Sequence, residues 1–255
     1  MQVKSFHAIV IAVTIALIII PFLACAQSSS MIEVGGFSTE NMDDGLPTHW
    51  RLLTYKKIKR HTTYSLVRHE GTIVVMAVAD ASASALIREI KINPKEYPIV
   101  QWRWEVENIL RKEDIYQKEG DDYPARLYIT FEHDPSRLDF FGKMKYELAK
   151  IAYGQYPPTA TINYIWASNA PKGTLFPSPY TDRVMLMVVE SGPTKLKQWV
   201  NEERNLYEDF RKAFNYEPPM ISGVAIMTDT DNTGERAIAY YGDILFKKDG
   251  KRNSH

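Results

Sequence analysis

The chain has 255 residues, and its 31 lysines and arginines are balanced by 31 aspartates and glutamates, so the formal net charge is zero. A protein that binds nucleic acid usually carries a basic excess, and this balance argues against that class of partner. Cys25 is the one cysteine, which rules out an intramolecular disulfide. The chain is long enough for one large domain with a self-sufficient core.

The first 26 residues have the pattern of a secretory signal peptide. Lys4 precedes a long uncharged apolar run, and the small-residue sequence ACA follows at residues 24–26. This order predicts cleavage before Gln27 and a periplasmic or secreted protein. Two alternatives stay open: a membrane anchor, because the run is near the lower end of spanning length, and a lipoprotein modified at Cys25. After cleavage the mature chain is expected to contain no membrane span.

The rest of the chain predicts a single domain with β structure throughout. Residues 27–49 indicate a linker and an irregular lead-in, residues 50–247 the domain, and residues 248–255 a disordered polar tail. About ten short runs rich in β-branched and aromatic residues follow one another in the domain, separated by breaks rich in Gly, Pro and Asp. This spacing predicts a mainly β fold, an antiparallel β-sandwich of jelly-roll type.

Two segments depart from the strand pattern and predict α-helices that pack against the sheets. They are residues 136–154 and residues 194–214, in which apolar side chains recur at helical spacing. In the second segment the apolar stripe consists of Leu196, Trp199, Val200, Tyr207, Phe210 and Phe214.

A set of short motifs in a fixed order resembles a known family. The motifs are YPIVQWRWEV, EGDDYPARLYITF, INYIWAS, MVVESG, WVNEERNLYEDFRKAF, MTDTDNT and YYGDILF. Together they resemble a family of secreted bacterial proteins, domain of unknown function 3047, from about Trp50 to Phe246. The resemblance implies a secreted or periplasmic β-rich protein and implies no activity. The stretches GLPTHW and YYGDILF also resemble the first and last strands of galactose-binding-like jelly rolls, at the level of fold.

The stretch TDTDNTG, residues 228–234, is a candidate ligand site near the C-terminus. Counted from Asp229, it begins like an EF-hand loop, but the twelfth position is Tyr240 instead of Glu. The flanking segments also have the pattern of strands and not of helices. It therefore predicts either a hairpin turn with polar residues or a contact of Asp229, Asp231 and Asn232 with a ligand. The sequence predicts no metal or other cofactor, and calcium at Asp229 and Asp231 is the alternative left open.

A second candidate site lies around the motif EGDDYPARLYITF. Asp121 and Asp122 precede a strand on which Arg126 and Tyr128 share one face, because successive side chains of a strand alternate. Planar polar groups match pairs of sugar hydroxyls, and an aromatic ring stacks on the apolar face of a sugar. The pattern predicts a glycan-binding face, with an internal salt-bridge network as the alternative.

The strand IVQWRWEV contributes to the same prediction. Trp102 and Trp104 alternate with Arg103 and Glu105, and we interpret the two tryptophans as core residues. The polar residues of this strand are then predicted to line the same concave face as Arg126.

Three further residues complete the predicted ligand-binding set. Glu190 ends an apolar strand on the same face as Val188, which predicts a partly desolvated carboxyl group with a raised pKa. Such a group can be a general acid or can pair with Arg204 or Arg126, and the pair is the favoured interpretation. Arg204 and Asn205 belong to the ERN element of the family motifs.

The predicted function is non-catalytic binding of a carbohydrate or an envelope glycan. One alternative is an enzyme that acts on polysaccharide through Glu190 and Asp122, with Asp229 and Asp231 as further acids. Another is a structural or interaction module without a small ligand. The histidines outside the signal segment show no metal-ligand spacing; they are His49, His61, His69, His133 and His255.

Overall fold

The computed structural model describes residues 29–132 and 160–250. Within these ranges the chain forms thirteen strands: β1 (Met31–Gly35), β2 (Arg51–Leu53), β3 (Thr63–His69), β4 (Thr72–Asp80), β5 (Ala85–Ile92), β6 (Ile99–Val106), β7 (Ala125–Phe131), β8 (Thr161–Ala167), β9 (Leu175–Ser178), β10 (Thr181–Ser191), β11 (Val200–Asn205), β12 (Ile221–Met227) and β13 (Arg236–Lys247). It also forms one α-helix, α1 (Leu206–Phe214), and short 3-10 helices at Phe37–Thr39, Met42–Asp44 and Lys118–Gly120. The predicted signal segment, the predicted helix at 136–154 and the end of the predicted tail lie outside the described residues.

The strands form two sheets packed face to face, which confirms the predicted β-sandwich. The six-stranded sheet has the order β11-β6-β13-β4-β3, with β1 also beside β13. The seven-stranded sheet has the order β2-β5-β12-β7-β8-β10-β9. No helix among the described residues is long and apolar enough to cross a membrane.

The core lies between the two sheets and is rich in aromatic rings. The ring of Trp102 on β6 stacks on Tyr164 of β8 with centroids 5.1 Å apart, and Trp104 lies 6.3 Å from Trp166. All four side chains are buried. The interpretation of Trp102 and Trp104 as core residues is therefore confirmed.

The outer faces of the two sheets point to opposite sides of the sandwich. Arg103 alternates with the core tryptophans on β6, in the six-stranded sheet, whereas Arg126 alternates with core residues on β7, in the seven-stranded sheet. The prediction that Arg103 lines one concave face together with Arg126 is therefore wrong. The alternation within each strand was correct, but alternation does not tell to which sheet a strand belongs.

One strand pair departs from the predicted antiparallel pattern. After β8 the chain passes the position of β10 and forms β9, which pairs antiparallel with β10. β10 then returns between β8 and β9 and runs parallel to β8.

The predicted helix at 194–214 is correct only in its second half. Residues Val200–Asn205 form the edge strand β11, which pairs with β6, and the helix begins at Leu206. In β11 the buried Val200 and Glu202 alternate with exposed neighbours. This segment therefore has the two-residue period of a strand, although its apolar residues also fit a helical spacing. Phe210 of the helix packs on Phe131 with ring centroids 4.5 Å apart.

The predicted lead-in is also more regular than expected, because it contains β1. β13 has 12 residues, and its first half pairs with β4 while its second half extends beyond that strand. β1 pairs with this second half, from Met31 opposite Lys247 to Gly35 opposite Ile244. It therefore covers backbone groups that would otherwise form an open sheet edge.

Candidate functional site

Two polar loops meet at one end of the seven-stranded sheet. β12 and β7 are antiparallel neighbours, with Met227 opposite Arg126, so the loop after β12 lies beside the loop before β7. This pairing brings together residues from two distant motifs. They are Asp121, Asp122, Arg126, Tyr128, Asp229, Asp231 and Asn232.

The loop at 228–235 is not a hairpin, which was one of the two alternatives that the sequence left open. β12 belongs to the seven-stranded sheet and β13 to the six-stranded sheet, so the loop crosses from one sheet to the other. It runs beside the β4–β5 connection, and the Thr230 amide donates to the Ser82 carbonyl at 2.9 Å. The Thr62 hydroxyl donates to the Thr228 carbonyl at 2.8 Å. These buried contacts fix the backbone that carries Asp229.

Arg126 is the centre of the site and is only 3% exposed. Its Nε donates to Oδ1 of Asp229 at 2.7 Å, and its Nη2 donates to Oδ2 of the same carboxylate at 2.5 Å. Nη2 also donates to the Asp121 carbonyl at 2.5 Å, and Nη1 donates to the Tyr128 hydroxyl at 3.1 Å. The guanidinium carbon lies 4.4 Å from the ring centre of Tyr123. Arg126 is therefore the ion-pair partner of Asp229.

Burial, together with neighbouring negative charge, raises the pKa of three carboxyl groups of the site, those of Asp121, Asp229 and Asp231. Burial raises the pKa of Asp229, Arg126 opposes this shift, and the charge of Asp122 adds to it. Burial also raises the pKa of Asp121 and of Asp231, and in both residues the neighbouring Asp122 acts in the same direction. The site therefore holds more acidic groups than its one arginine neutralises.

An open cavity of about 840 Å³ lies over this end of the outer face. Tyr55, Tyr128 and Tyr180 line it together with Arg126 and Asp231; the other polar lining residues are Thr54, Lys56, Lys57, Asp121, Asp229 and Asn232. Its apolar wall is formed by Leu53, Ile58, Ala83 and Met227. The cavity therefore combines aromatic rings, an apolar wall and several hydrogen-bonding groups in one surface.

Sequence reasoning missed two of the cavity's tyrosines, Tyr55 and Tyr180. Tyr180 is 54% exposed in the turn between β9 and β10. Its hydroxyl lies within hydrogen-bond distance of two acceptors, the Lys118 carbonyl at 3.2 Å and the Asn232 side-chain oxygen at 3.3 Å. The available signal was a large aromatic residue in the turn sequence FPSPYT, where a solvent-exposed ring has no packing role.

Glu190 does not join the site, and both predictions about its environment are wrong. A β-bulge after Val188 places Glu190 opposite Trp166, a residue of the inner face. Its carboxylate accepts from Lys195 at 2.7 Å and lies 3.5 Å from Lys172, rather than pairing with Arg204 or Arg126. Burial raises the pKa of Glu190, but Lys195, the Ser191 amide and Lys172 outweigh burial, and the pKa is lowered.

The other predicted ligand residues have local structural partners. The guanidinium of Arg204 forms two hydrogen bonds with Asp209, at 2.9 and 2.5 Å. The Asn205 side chain accepts from the Glu208 amide at 3.1 Å and caps the N-terminus of α1.

Arg103 lies on the outer face of the six-stranded sheet. Its guanidinium is 4.5 Å from the ring centre of Trp199. Gly242 allows this position, because a Cβ there would collide with the Arg103 side chain.

Glu202 is a buried acid that the sequence did not single out, because its segment was predicted to be helical. It is 8% exposed on the inner side of β11, and its Oε1 has no hydrogen-bond partner. Burial raises the pKa of Glu202 to about 7, Lys172 and Lys195 oppose this shift, and Glu190 adds to it. The hydrogen bond to Glu190 raises the pKa of Lys195, and the pKa of Glu190 is lowered, so both groups carry their charge across neutral pH.

We expect the free energy of unfolding of Glu202→Gln, relative to that of wild type, to be higher at pH 8 than at pH 5. The raised pKa means that the folded protein binds more protons than the unfolded chain between about pH 4.5 and 7, so the wild type loses stability as the pH rises through that window. The variant lacks this loss, and its stability relative to wild type is expected to rise by about 1–3 kcal/mol. Urea unfolding of both proteins at the two pH values measures the difference. A difference that does not change with pH would show that Glu202 titrates normally.

Two groups of residues have the donor sets to hold a metal ion in the part of the chain that the structure describes. One oxygen each of Asp122, Asp229 and Asp231 lies within 4.8 Å of the others. The second group is His69, Glu70 and Glu105, on the six-stranded sheet. In that group the His69 ring already bonds Glu105 at 3.1 Å and stacks on Tyr240.

Comparisons with known proteins identify a family. No significant match to a curated protein is found. Among solved structures, the chain is similar to "Cellulose induced protein, Cip1", with 13% identity and a TM-score of 0.33, over 78% of this chain and 91% of that one. It is also similar to the Emp47p carbohydrate recognition domain, with 10% identity and a TM-score of 0.42, over 86% of this chain and 95% of that one. The model of the family described as "Protein of unknown function (DUF3047)" matches residues 48–245, and the chain therefore belongs to this family.

Proposed function

We propose that the protein binds a carbohydrate, without cleaving it, in the cavity on the outer face of the seven-stranded sheet. The observation that carries this proposal is the presence of three tyrosine rings beside carboxylate, amide and guanidinium groups in one open cavity. Together with the predicted signal peptide, it favours a glycan of the cell envelope or its surroundings as the ligand.

The groups of the cavity suit the two kinds of surface that a sugar presents. A pyranose ring has apolar faces of C–H groups, against which the rings of Tyr55, Tyr128 and Tyr180 can pack. Its hydroxyl groups need donors and acceptors, which Asp231 and Asn232 can supply at the cavity wall. Asp231 is half-buried, so its carboxylate can be reached from the cavity.

The same contacts favour binding over hydrolysis. Cleavage of a glycosidic bond usually needs two carboxyl groups about 5–10 Å apart, facing the bond from two sides. Both oxygens of Asp229 accept from Arg126, which holds that carboxylate in an ion pair. Asp122 is fully buried, and Glu190 is bound by Lys195 away from the cavity. Of the four acids named for the enzyme alternative, Asp231 is therefore the one whose carboxylate remains free to face a glycan in this cavity, and a single carboxyl group does not supply the pair.

A glycan array on residues 27–255, followed by calorimetric titration of the best ligand, tests the proposal. We expect Tyr180→Ala to weaken binding by about tenfold, equivalent to ~1.4 kcal/mol, because it removes an exposed ring from the cavity wall. Tyr116→Ala is the matched control, since Tyr116 is 75% exposed and does not line the cavity. The control is expected to bind like wild type.

Three results would count against the proposal. Equal affinity of wild type and Tyr180→Ala would place the glycan elsewhere. Shortened products after incubation with the bound glycan would support the enzyme alternative. A folded protein that binds no glycan on the array would favour a structural or interaction module.

A further inference from the structure

The acidic residues of the two meeting loops form a cluster with its own chemistry. We propose that Asp122, Asp229 and Asp231 bind a calcium ion that links the loop before β7 to the loop after β12. One carboxylate oxygen from each residue lies within 4.8 Å of the others, although Asp122 is more than a hundred positions away in sequence. This inference does not depend on the proposed glycan binding, and it is tested without a glycan.

The side chain of Asp122 provides a second observation, independent of the closeness of the three oxygens, that points to a bound cation. Its side chain is fully buried, and its Oδ2 accepts from the Thr233 amide at 2.6 Å. Its Oδ1 is buried and has no hydrogen-bond partner. A buried carboxylate oxygen without a partner is costly, because it has lost its water and gained no donor in exchange. A cation between the two loops would provide that partner.

The positive groups nearby compensate the cluster only in part, since Arg126 pairs with one of its three carboxylates, that of Asp229. Arg126 directs its side-chain hydrogen bonds to Asp229, Asp121 and Tyr128. Among the hydrogen bonds of the described residues, none joins Arg126 to Asp122 or to Asp231. Lys112 donates to the Thr233 carbonyl at 3.1 Å, and Lys118 lies over the ring of Tyr180. The cluster therefore retains an excess of negative charge that a divalent cation would balance.

The donor set favours calcium among the common metal ions. All three side chains offer carboxylate oxygens, which are hard ligands, and the cluster contains no imidazole or thiolate. Calcium takes ligands at about 2.3–2.6 Å, so oxygens up to about 5 Å apart can share one ion. Magnesium binds at about 2.1 Å in a strict octahedron and keeps several of its waters, so it is less suited to a site built from three protein carboxylates. Water and backbone carbonyls can complete the irregular coordination that calcium accepts.

The test is thermal unfolding and calorimetric titration of chelator-treated protein with calcium chloride, with no glycan present. We expect a saturable rise in the melting temperature that excess chelator reverses, and one binding event per chain. Asp231→Asn is the main variant, because Asp231 is only half-buried and the change keeps its shape. Its calcium affinity is expected to fall by at least about tenfold, since the site loses one of three carboxylate charges. Asp43→Asn, at an exposed aspartate in the short 3-10 helix Met42–Asp44, is the matched control and is expected to bind calcium like wild type.

If Asp231 is a calcium ligand, the order of stability of wild type and Asp231→Asn differs between chelator and calcium. If Asp231 has only a structural role, the order is the same in both. In chelator, Asp231→Asn is expected to be at least as stable as wild type, because it removes one of the crowded charges. In calcium, the order reverses and wild type becomes the more stable protein. Wild type that shows neither heat nor a melting shift at millimolar calcium would overturn the proposal. The same would follow if Asp231→Asn responded as strongly as wild type, and an equal response to magnesium would overturn the choice of calcium.

Discussion

Replacement of Arg126 by leucine is expected to lower the free energy of unfolding by about 3–5 kcal/mol. The guanidinium is almost fully buried and holds both oxygens of Asp229, at 2.7 and 2.5 Å, as well as the Asp121 carbonyl. Leucine removes these donors and leaves the Asp229 carboxylate with the Tyr123 amide, 3.1 Å from its Oδ1, but without a balancing charge. An uncompensated buried charge is more costly than the ion pair itself. Chemical denaturation of the purified variant measures the loss.

The double variant Arg126→Leu with Asp229→Leu separates the ion pair from simple loss of packing. If the pair accounts for the effect, the double variant is expected to be more stable than Arg126→Leu alone, because the unpaired charge is gone. A loss below about 1 kcal/mol in Arg126→Leu would mean that water reaches the guanidinium and its partners, and the site would be more open than the structure indicates.

Replacement of Trp104 by alanine is expected to cost a similar amount, about 3–5 kcal/mol, for a different reason. The indole is fully buried between the sheets and packs edge-on against Trp102, with ring centroids 5.4 Å apart. Alanine would leave a cavity in the aromatic layer that joins the two sheets. The measurement is again the midpoint and slope of denaturant unfolding.

Trp199 is the matched control for Trp104, because it lies on the outer face of the six-stranded sheet. It is half-buried, and its main partner is the guanidinium of Arg103, 4.5 Å from the ring centre. Trp199→Ala is expected to cost about 1 kcal/mol or less, the range of an exposed cation–π contact. Equal losses in the two variants would contradict the assignment of Trp104 to the core and Trp199 to the surface.

The period-two pattern within single strands was readable from the sequence. It assigned Trp102 and Trp104 to the core and Arg126 and Tyr128 to an outer face, because alternation is a local property of the backbone. The polar stretches around Asp122 and Asp229 were also recognisable as candidate sites, since short runs of acids between apolar strands are unusual. The structure adds that these two stretches are one site, because β7 and β12 are neighbours.

The failures of the sequence predictions have a common physical origin in long-range pairing. Glu190 changes face because of a single bulge in β10, and one extra residue reverses every later side chain. Val200–Asn205 became a strand because the edge of β6 was available to pair with it, which overrode a helical pattern. Tyr180 comes to the cavity from the turn between β9 and β10, which sheet pairing places at the edge of the sheet that contains β7 and β12.

The most direct test of glycan binding in this cavity is a crystal structure of the protein with the best ligand from the array. We expect the sugar to lie in the cavity at the end of the seven-stranded sheet, with a ring face against Tyr128 or Tyr180 and hydroxyl groups within hydrogen-bond distance of Asp231 or Asn232. A sugar bound instead on the opposite side of the sandwich, beside Arg103 and Trp199, would contradict this account.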